Sequence, residues 1–286
     1  MANLIQQMVI EQRGSISRLC ELAGLPRRRY YRRRSTAIGE DNLDLRDQIQ
    51  RVAVKWPSYG YRRITRELAR RGIAVNHKLV LRLMRTDNLL CLRKKRFVTT
   101  TDSNHKLPVY PNLARDMRLT GIDQLWIADI TYIRLQHEFI YLAVILDAFS
   151  RRCIGWSLER YLDHRLTMTA LRMALSNRNA PAGLVHHSDR GVQYAAKGYT
   201  ELLMSYGIVI SMSRRGNAYD NAKAERFMRT LKYEEVYLCD YDNLADAKQH
   251  IKQFIEGLYN RKRLHSAIGY VPPVEFEQML LTAATP

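Results

Sequence analysis

Three apolar segments with strand-like composition follow one another between residues 121 and 159, and they constrain the fold of this chain more than any other feature. The first, QLWIADITYIRL, carries apolar residues on both of its alternating faces, which is typical of a strand buried on both sides. The next two, EFIYLAVILDAFS and RRCIGWSLE, are separated from their neighbours by short polar turns. This pattern predicts a three-stranded antiparallel meander.

Helical and strand patterns alternate after this meander. Asp163 precedes a helical segment that ends before Pro181, and the strand GLVHHSD, the helix KGYTELLMSYG and the strand IVISMS follow it. A long helix then begins near Ala218, and a further helix carries an apolar stripe from Leu244 to Tyr259. The order β-β-β-α-β-α-β-α predicts an α/β fold with a mixed sheet and helices on its faces.

The basic residues are concentrated in the first third of the chain. The formal net charge is +18, and residues 1–110 hold 24 of the lysines and arginines against 9 acidic residues. An excess of this size in one region favours a surface that binds a polyanion. The alternative is a solvated basic surface that only maintains solubility.

Two helix-turn-helix units are predicted in this basic third. In the first, residues 1–36, Ser15 or Ser17 caps one helix, Gly24 ends it, and a second helix carries most of the arginines. In the second, residues 37–92, Asn76 caps a helix that exposes basic side chains, and residues 93–118 follow as a basic linker. A generic basic helical hairpin is the alternative for each unit. The candidate DNA-binding residues are Arg27, Arg28, Arg29, Arg32, Arg33, His77, Lys78, Arg82, Lys94 and Lys95.

The cysteines and the hydropathy pattern disfavour several classes of protein. The four cysteines, at positions 20, 91, 153 and 239, lie far apart and form no CxxC pair. A structural zinc site and a disulfide scaffold are therefore not expected. No apolar run of about 18 residues and no secretory signal occur. We expect a cytoplasmic, nucleoid-associated protein without membrane spans.

Three acidic residues occur at positions where catalytic or metal-binding groups are expected. Asp129 interrupts a buried strand, Asp189 follows the end of another strand, and Glu225 lies on the long helix with Asn221 four residues before it. Taken singly, each is better explained by a structural role: Asp129 as a buried acid paired with an arginine, Asp189 as a turn residue and Glu225 as a solvated helix residue. Together they form a set of hard oxygen ligands, which favours Mg²⁺ or Mn²⁺ over Zn²⁺. Two such ions about 4 Å apart support phosphodiester chemistry.

These residues lie in strings that resemble a known family. The strings are WIADITYI with Asp129, DAFSRRCIGW, HHSDRGVQY with Asp189, and GNAYDNAKAERFMRTLKYE with Glu225. There are 35 residues between Asp189 and Glu225, and the tail YNRKRLHSAIGYVPPVEF also matches. The chain resembles the DDE transposases of bacterial insertion sequences, whose catalytic core is similar to retroviral integrase. Within that family it is most similar to the downstream-frame protein of the two-reading-frame group.

The resemblance implies a fold, a reaction and a set of partners. Residues 119–238 are expected to form an RNase H-like catalytic core, and residues 239–286 a C-terminal helix and tail. Asp129, Asp189 and Glu225 are expected to hold two Mg²⁺ ions, which Mn²⁺ replaces. Water then frees a 3'-OH at the end of the element, and this hydroxyl attacks a phosphodiester of target DNA. The expected partners are double-stranded DNA, further copies of the chain on paired ends, and an upstream-frame protein fused to this one.

Two alternatives from other classes stay open. One is a DNA-binding regulator or an inactive transposase relic, and the other is a nuclease that hydrolyses DNA without joining it. Asn221, Lys232 and His187 are expected to support the site or to contact DNA. Among minor candidates, Asp147 is expected to cap a turn or pair with Arg151, His186 to be structural, and Gln193 and Tyr194 to line the substrate groove.

Overall fold

The computed structural model of the chain describes residues 15–24, 26, 42–89, 107–214 and 221–284. The helices within these ranges are α1 (Ile16–Leu22), α2 (Leu43–Lys55), α3 (Tyr61–Arg70), α4 (His77–Thr86), α5 (His164–Asn177), α6 (Val192–Ala195), α7 (Lys197–Ser205), α8 (Ala222–Leu231), α9 (Leu244–Lys252) and α10 (Pro273–Ala284). The strands are β1 (Leu125–Arg134), β2 (Phe139–Asp147), β3 (Cys153–Glu159), β4 (Val185–Ser188) and β5 (Val209–Met212). Helices α8 and α9 continue as π-helical turns, Lys232–Val236 and Gln253–Tyr259. A search of the described residues found no helix with the length and apolarity needed to span a membrane.

The five strands form one mixed sheet in the order β3-β2-β1-β4-β5. Strands β1, β2 and β3 pair antiparallel, which confirms the predicted meander. Strands β4 and β5 add in parallel on the other side of β1. Strand β1 is therefore the centre of the sheet, and this position explains its apolar residues on both faces.

Helices cover both faces of the sheet, as predicted. On one face, α8 and α9 pack Phe227, Leu231 and Ile251 against the apolar side of β1 and β2. On the other face, α5, α6 and α7 complete a second apolar core. Helix α5 approaches β3 closely at Gly155, where an added Cβ would lie 2.2 Å from the carbonyl oxygen of Ala170.

The first predicted helix-turn-helix unit is described only in part. The Ser15 hydroxyl accepts a hydrogen bond from the amide of Arg18 at 3.4 Å, and Gly24 ends the helix with φ of +57°. Both features agree with the prediction. The expected second helix, with Arg27, Arg28, Arg29, Arg32 and Arg33, lies outside the described residues, as do Lys94 and Lys95.

Helices α2, α3 and α4 form a compact unit, the three-helix unit. Its core contains Ile64, Leu68 and Leu83, and the Asn76 side chain caps α4 by accepting from the amide of Lys78 at 2.8 Å. On α2, Ile49 and Val52 are buried in this core, whereas Leu43 and Val54 are 60% and 71% exposed at the two ends of the helix.

The C-terminal tail joins the three-helix unit to the sheet. Leu264 enters the core of the three-helix unit, and its amide donates to the Tyr59 hydroxyl at 2.8 Å. Arg70 of α3 and Glu275 of α10 form a bidentate ion pair at 2.7 and 2.8 Å. The tail therefore contacts both the three-helix unit and the sheet.

The same tail is held on the sheet by polar side chains. The Asn260 amide pairs with both backbone groups of Cys153, at 2.9 and 3.0 Å. On α10, the buried Glu277 accepts from the Ser150 hydroxyl at 2.6 Å and pairs with the buried Arg178. These bonds satisfy groups that would otherwise be buried without partners.

The second half of the predicted linker lies against the sheet. The amide of Leu113 donates to the Ser211 hydroxyl at 2.9 Å, and the amide of Met212 donates to the carbonyl of Pro111 at 3.3 Å. Residues 107–118 therefore do not form a free tether, and part of this segment covers the edge strand β5.

Candidate active site

The sheet register brings Asp129 and Asp189 together. Ile127 of β1 lies opposite His187 of β4 in a parallel ladder. Continuing this register by two residues places Asp129 beside Asp189, on neighbouring strands that are about 4.8 Å apart. Asp129, which lies within β1, and Asp189, which directly follows β4, are therefore neighbours.

Asp129 lies in an environment that disfavours its charge. Burial raises the pKa of Asp129 to about 8, and the neighbouring charge of Asp189 acts in the same direction, followed by that of Glu225. The hydrogen bond from the amide of Ile130 to Oδ1, at 2.9 Å, only partly offsets these effects. A group in this setting binds either a proton or a cation at neutral pH.

Asp189 and Glu225 approach from two further elements. Asp189 follows β4 directly, and its Oδ1 accepts from the amide of Gly191 at 2.9 Å, where α6 begins. Glu225 lies in the first turn of α8, whose apolar side packs on the face of the sheet that carries Ile127. Partial burial raises the pKa of Glu225. The three predicted acids therefore converge from three separate elements.

Lys232 is a basic side chain close to Asp129. Its charge lowers the pKa of Asp129, and its ammonium lies 4.6 Å from the centroid of the Tyr132 ring. Burial lowers the pKa of Lys232, while Asp129 acts in the opposite direction. A half-buried cation at this place offers positive charge to an anion that approaches the acids.

Asn221 lies immediately before α8 and is buried. Its side-chain amide donates to the carbonyl of Ala128 at 3.3 Å, so it links the start of α8 to the strand that carries Asp129. Its Oδ1 has no partner among the residues that the structure describes. This arrangement positions α8 relative to β1.

The two histidines of β4 have structural environments. His187 is fully buried, and its Nδ1 lies 2.8 Å from the Ser211 hydroxyl on β5. The prediction that His187 contacts DNA directly is therefore wrong, because the side chain has no exposed surface. His186 is buried against the Tyr199 hydroxyl at 3.0 Å, as the structural prediction expected. Burial lowers the pKa of His186 to about 3, which keeps it neutral.

Tyr194 is closer to the acids than the sequence suggested. It is only 2% exposed, so it does not line an open groove. Burial raises the pKa of Tyr194, and the charges of Asp189 and Asp129 contribute to the shift. Its hydroxyl has no hydrogen-bond partner within the described ranges. In the sequence, the only indication of this position is that Tyr194 lies five residues after Asp189. Gln193, in contrast, is partly exposed and donates to the carbonyl of Leu162 at 3.3 Å.

Asp147 caps a turn and lies apart from the three acids. It pairs with Trp126 across β1 and β2, whereas Asp129 pairs with Val144. Its carboxylate accepts from the backbone amides of Asp123, Phe149 and Ser150 at 2.7 to 2.9 Å. The prediction of a cap is confirmed.

The predicted DNA-binding residues of the three-helix unit share one surface. His77, Lys78 and Arg82 are exposed on α4, while Val80, Leu83 and Met84 are buried on its opposite side. His77 stacks on Tyr61 of α3 with 6.0 Å between ring centroids. The exposed face of α4 thus begins at a capped N-terminus and carries basic side chains, as a recognition helix requires.

Replacing Asp129 by Asn is expected to stabilise the metal-free protein at high pH. The folded-state pKa of about 8 lies above the ordinary value of 3.8, so the folded state binds more protons between these values. The wild type therefore loses stability as the pH rises through this window. Asp129→Asn removes that loss, so the gain should be small at about pH 4 and on the order of 2 kcal/mol at about pH 9.

Urea unfolding in a metal chelator at both pH values measures this gain. Asp116→Asn is the matched control, because the Asp116 side chain is 92% exposed. It should change stability little at either pH. An Asp129→Asn variant that is no more stable than wild type at high pH would contradict the repulsion among the three acids.

The five-stranded sheet, the converging acids and the basic helical unit define a class of protein, a DNA-binding polynucleotidyl transferase with an RNase H-like core. The integrase core domain family matches residues 120–218, and a second integrase core domain family matches residues 206–273. The HTH-like domain family matches residues 40–97. These three matches cover the three-helix unit, the sheet and most of the tail.

Curated relatives identify the family. The chain is 37% identical to the insertion element IS600 uncharacterized 31 kDa protein of Shigella sonnei, over 91% of this chain and 97% of that protein. It is 35% identical to the transposase for insertion sequence element IS904 of Lactococcus lactis, over 77% of this chain and 87% of that protein. The catalytic core domain of HTLV-2 integrase, solved with magnesium, aligns with a TM-score of 0.42 and 17% identity, over 54% of this chain and 96% of that one. The chain belongs to the insertion-sequence transposases with an integrase core domain. It is a DNA-binding enzyme of transposition and DNA integration.

Proposed function

We propose that Asp129, Asp189 and Glu225 are the catalytic residues of this transposase and hold two Mg²⁺ ions, which Mn²⁺ replaces. The observation that carries the proposal is the sheet register that places Asp129 beside Asp189, with Glu225 close enough for its charge to raise the pKa of Asp129 further. Such a cluster is stable in its charged form only with cations bound. When bound, the ions activate the attacking oxygen and neutralise the leaving oxygen of an in-line displacement.

The donor set fits hard cations. All three ligands are carboxylates, and carboxylate oxygens are the ligands that Mg²⁺ and Mn²⁺ prefer. A pair of such ions would serve both the attacking and the leaving oxygen of a phosphodiester.

The neighbouring side chains have roles that follow from their contacts. Lys232 attracts the phosphate whose bond is broken, since its charge is half-buried beside Asp129. Asn221 keeps Glu225 in place through its bond to Ala128. The buried Tyr194 side chain lies near Asp129 and Asp189 without a hydrogen bond to either, and it shields them from solvent on that side.

The substrates and the assembly follow from the reaction. The chain binds the ends of an insertion sequence, frees a 3'-OH at each end, and joins this hydroxyl to target DNA. Because two ends must meet in one complex, the active form is a homo-oligomer on paired ends. Fusion to an upstream-frame protein would add further DNA-binding surface to this assembly.

Replacing Mg²⁺ with Fe²⁺ is expected to cut the chain next to the three acids. Ascorbate and peroxide generate hydroxyl radicals at bound Fe²⁺, and these cleave the nearby backbone. Mass spectrometry of the full-length protein should locate cuts around residues 129, 189 and 225. The cuts should disappear in excess Mg²⁺ and in Asp129→Asn.

Glu201→Gln is the matched control for this mapping, since Glu201 is an exposed acid on α7. Its cleavage pattern should equal that of wild type. Cuts that persist unchanged in Asp129→Asn would overturn the assignment of the metal site, whatever the activity of the protein.

A further inference from the structure

A second cluster of metal-binding side chains lies beyond the end of α8. Glu235 and Cys239 are placed there by the π-helical turn and the loop that follow α8, and His250 by α9. One ligand atom from each of these three residues lies within 4.8 Å of the other two. The cluster unites a thiol, an imidazole and a carboxylate, which is a zinc-type set and differs from the three carboxylates of the active site.

We propose that Glu235, Cys239 and His250 form a zinc site, with Asp246 holding the imidazole in its ligating orientation. In this structure, the three donors already contact one another. His250 Nδ1 lies 3.2 Å from Glu235 Oε1, and the Cys239 sulfur lies within 4.8 Å of the ligand atoms of both residues. A divalent ion at the centre replaces these contacts by bonds to the metal, and the thiol proton passes to solvent.

The surroundings of His250 favour this geometry. Its Nδ1 faces Glu235, while its Nε2 lies 3.7 Å from the carboxylate of Asp246, one turn earlier on α9. A ligating histidine commonly donates its other ring N–H to a carboxylate, and this partner fixes the tautomer and the ring orientation. In this cluster, Asp246 is the carboxylate that faces the other ring nitrogen of His250.

The local charge also favours a cation. Residues 233–247 contain five acidic residues and no lysine or arginine, although the whole chain has a net charge of +18. Glu234 is neutralised by Arg263. Within the described part of the chain, the ion pairs of Glu235 and Asp246 involve only His250. The ligands Glu235 and Cys239 together bring two negative charges, which match a divalent ion.

The site is accessible and separate from the active site. Cys239 lines a cleft of about 270 Å³ together with Arg134 at the end of β1 and Gln136 of the β1–β2 turn, so the thiol can be reached by an ion from solvent. Arg134 is five residues from Asp129 along β1, which is about 17 Å in an extended strand, so the cleft lies away from the three acids. Bound zinc would tie the end of α8 to α9, which packs Ala247 and Ile251 into the core under the sheet.

Titration of the full-length, reduced, metal-free protein with Co²⁺ tests this proposal, with excess Mg²⁺ present to fill the site of the three acids. We expect a thiolate-to-cobalt charge-transfer band that disappears when Zn²⁺ is added, and one bound zinc per chain by elemental mass spectrometry. Cys239→Ser and His250→Gln should abolish the band. Asp246→Asn should weaken zinc binding by about tenfold or more, because it removes only the partner of the imidazole.

Asp242→Asn is the matched control, since Asp242 is an exposed acid in the same segment and lies outside the ligand set. It should bind cobalt and zinc as wild type does. Circular dichroism of the metal-free variants checks that each is folded, and X-ray absorption of the wild-type zinc complex should show one sulfur ligand. Absence of the cobalt band in wild type, or its retention in Cys239→Ser, would overturn the proposal.

Discussion

Asp129→Asn, Asp189→Asn and Glu225→Gln are each expected to lower strand joining by about a thousandfold or more. A catalytic ion contributes several kcal/mol to the stabilisation of the transition state, and each 1.4 kcal/mol corresponds to a factor of ten in rate. Each variant removes one charged ligand and leaves a side chain of nearly the same shape. Labelled oligonucleotides with the element end, incubated with a supercoiled target and Mg²⁺, measure hydrolysis and joining separately.

The double variant Asp129→Asn, Asp189→Asn should lose little more activity than either single variant, because the acids act as one unit. Glu201→Gln should retain wild-type activity. All variants should bind the element end like wild type, since the three-helix unit is unchanged. Joining that survives in Asp189→Asn would contradict the site. A wild type that hydrolyses ends but never joins them would instead favour the nuclease alternative.

The proximity of Asp129 and Asp189 could be predicted from the sequence because the pattern that indicates it is local and periodic. The apolar alternation around Asp129 identifies a central strand, and the strand before Asp189 ends where ligands of α/β sheets are usually found. The register of β1 and β4 then brings the two residues together. The place of Tyr194 was not predictable, because burial of its hydroxyl depends on the packing of α6 against β4 and α7.

The role of the tail could not be predicted for a different reason. Leu264 and Tyr59 are separated by more than two hundred residues, and no periodicity in either segment indicates that they meet. Helix α10 is held by Glu277, whose partners Ser150 and Arg178 come from other elements of the core. Similarly, the zinc-type cluster lacks the CxxC spacing by which such sites are recognised, since its ligands come from two elements.

The double variant Lys78→Ala, Arg82→Ala is expected to weaken binding to the element end by about a hundredfold. Both side chains are exposed on α4, and loss of a base or phosphate contact costs about 1 to 3 kcal/mol. The dependence of affinity on salt should also decrease by about one unit of slope for each lost phosphate contact. Fluorescence anisotropy with end and scrambled duplexes over a range of salt concentrations measures both effects.

The matched control is the double variant Arg51→Ala, Lys55→Ala, which removes two exposed charges from α2 of the same unit. It should reduce affinity for both duplexes slightly and equally, because it lowers only the general attraction of the basic surface. Point variants are preferable to deletion of the three-helix unit, since deletion would expose Leu264 and break the pair of Arg70 with Glu275. If both double variants weaken the two duplexes by the same factor, α4 contributes charge alone and does not recognise the sequence of the element end.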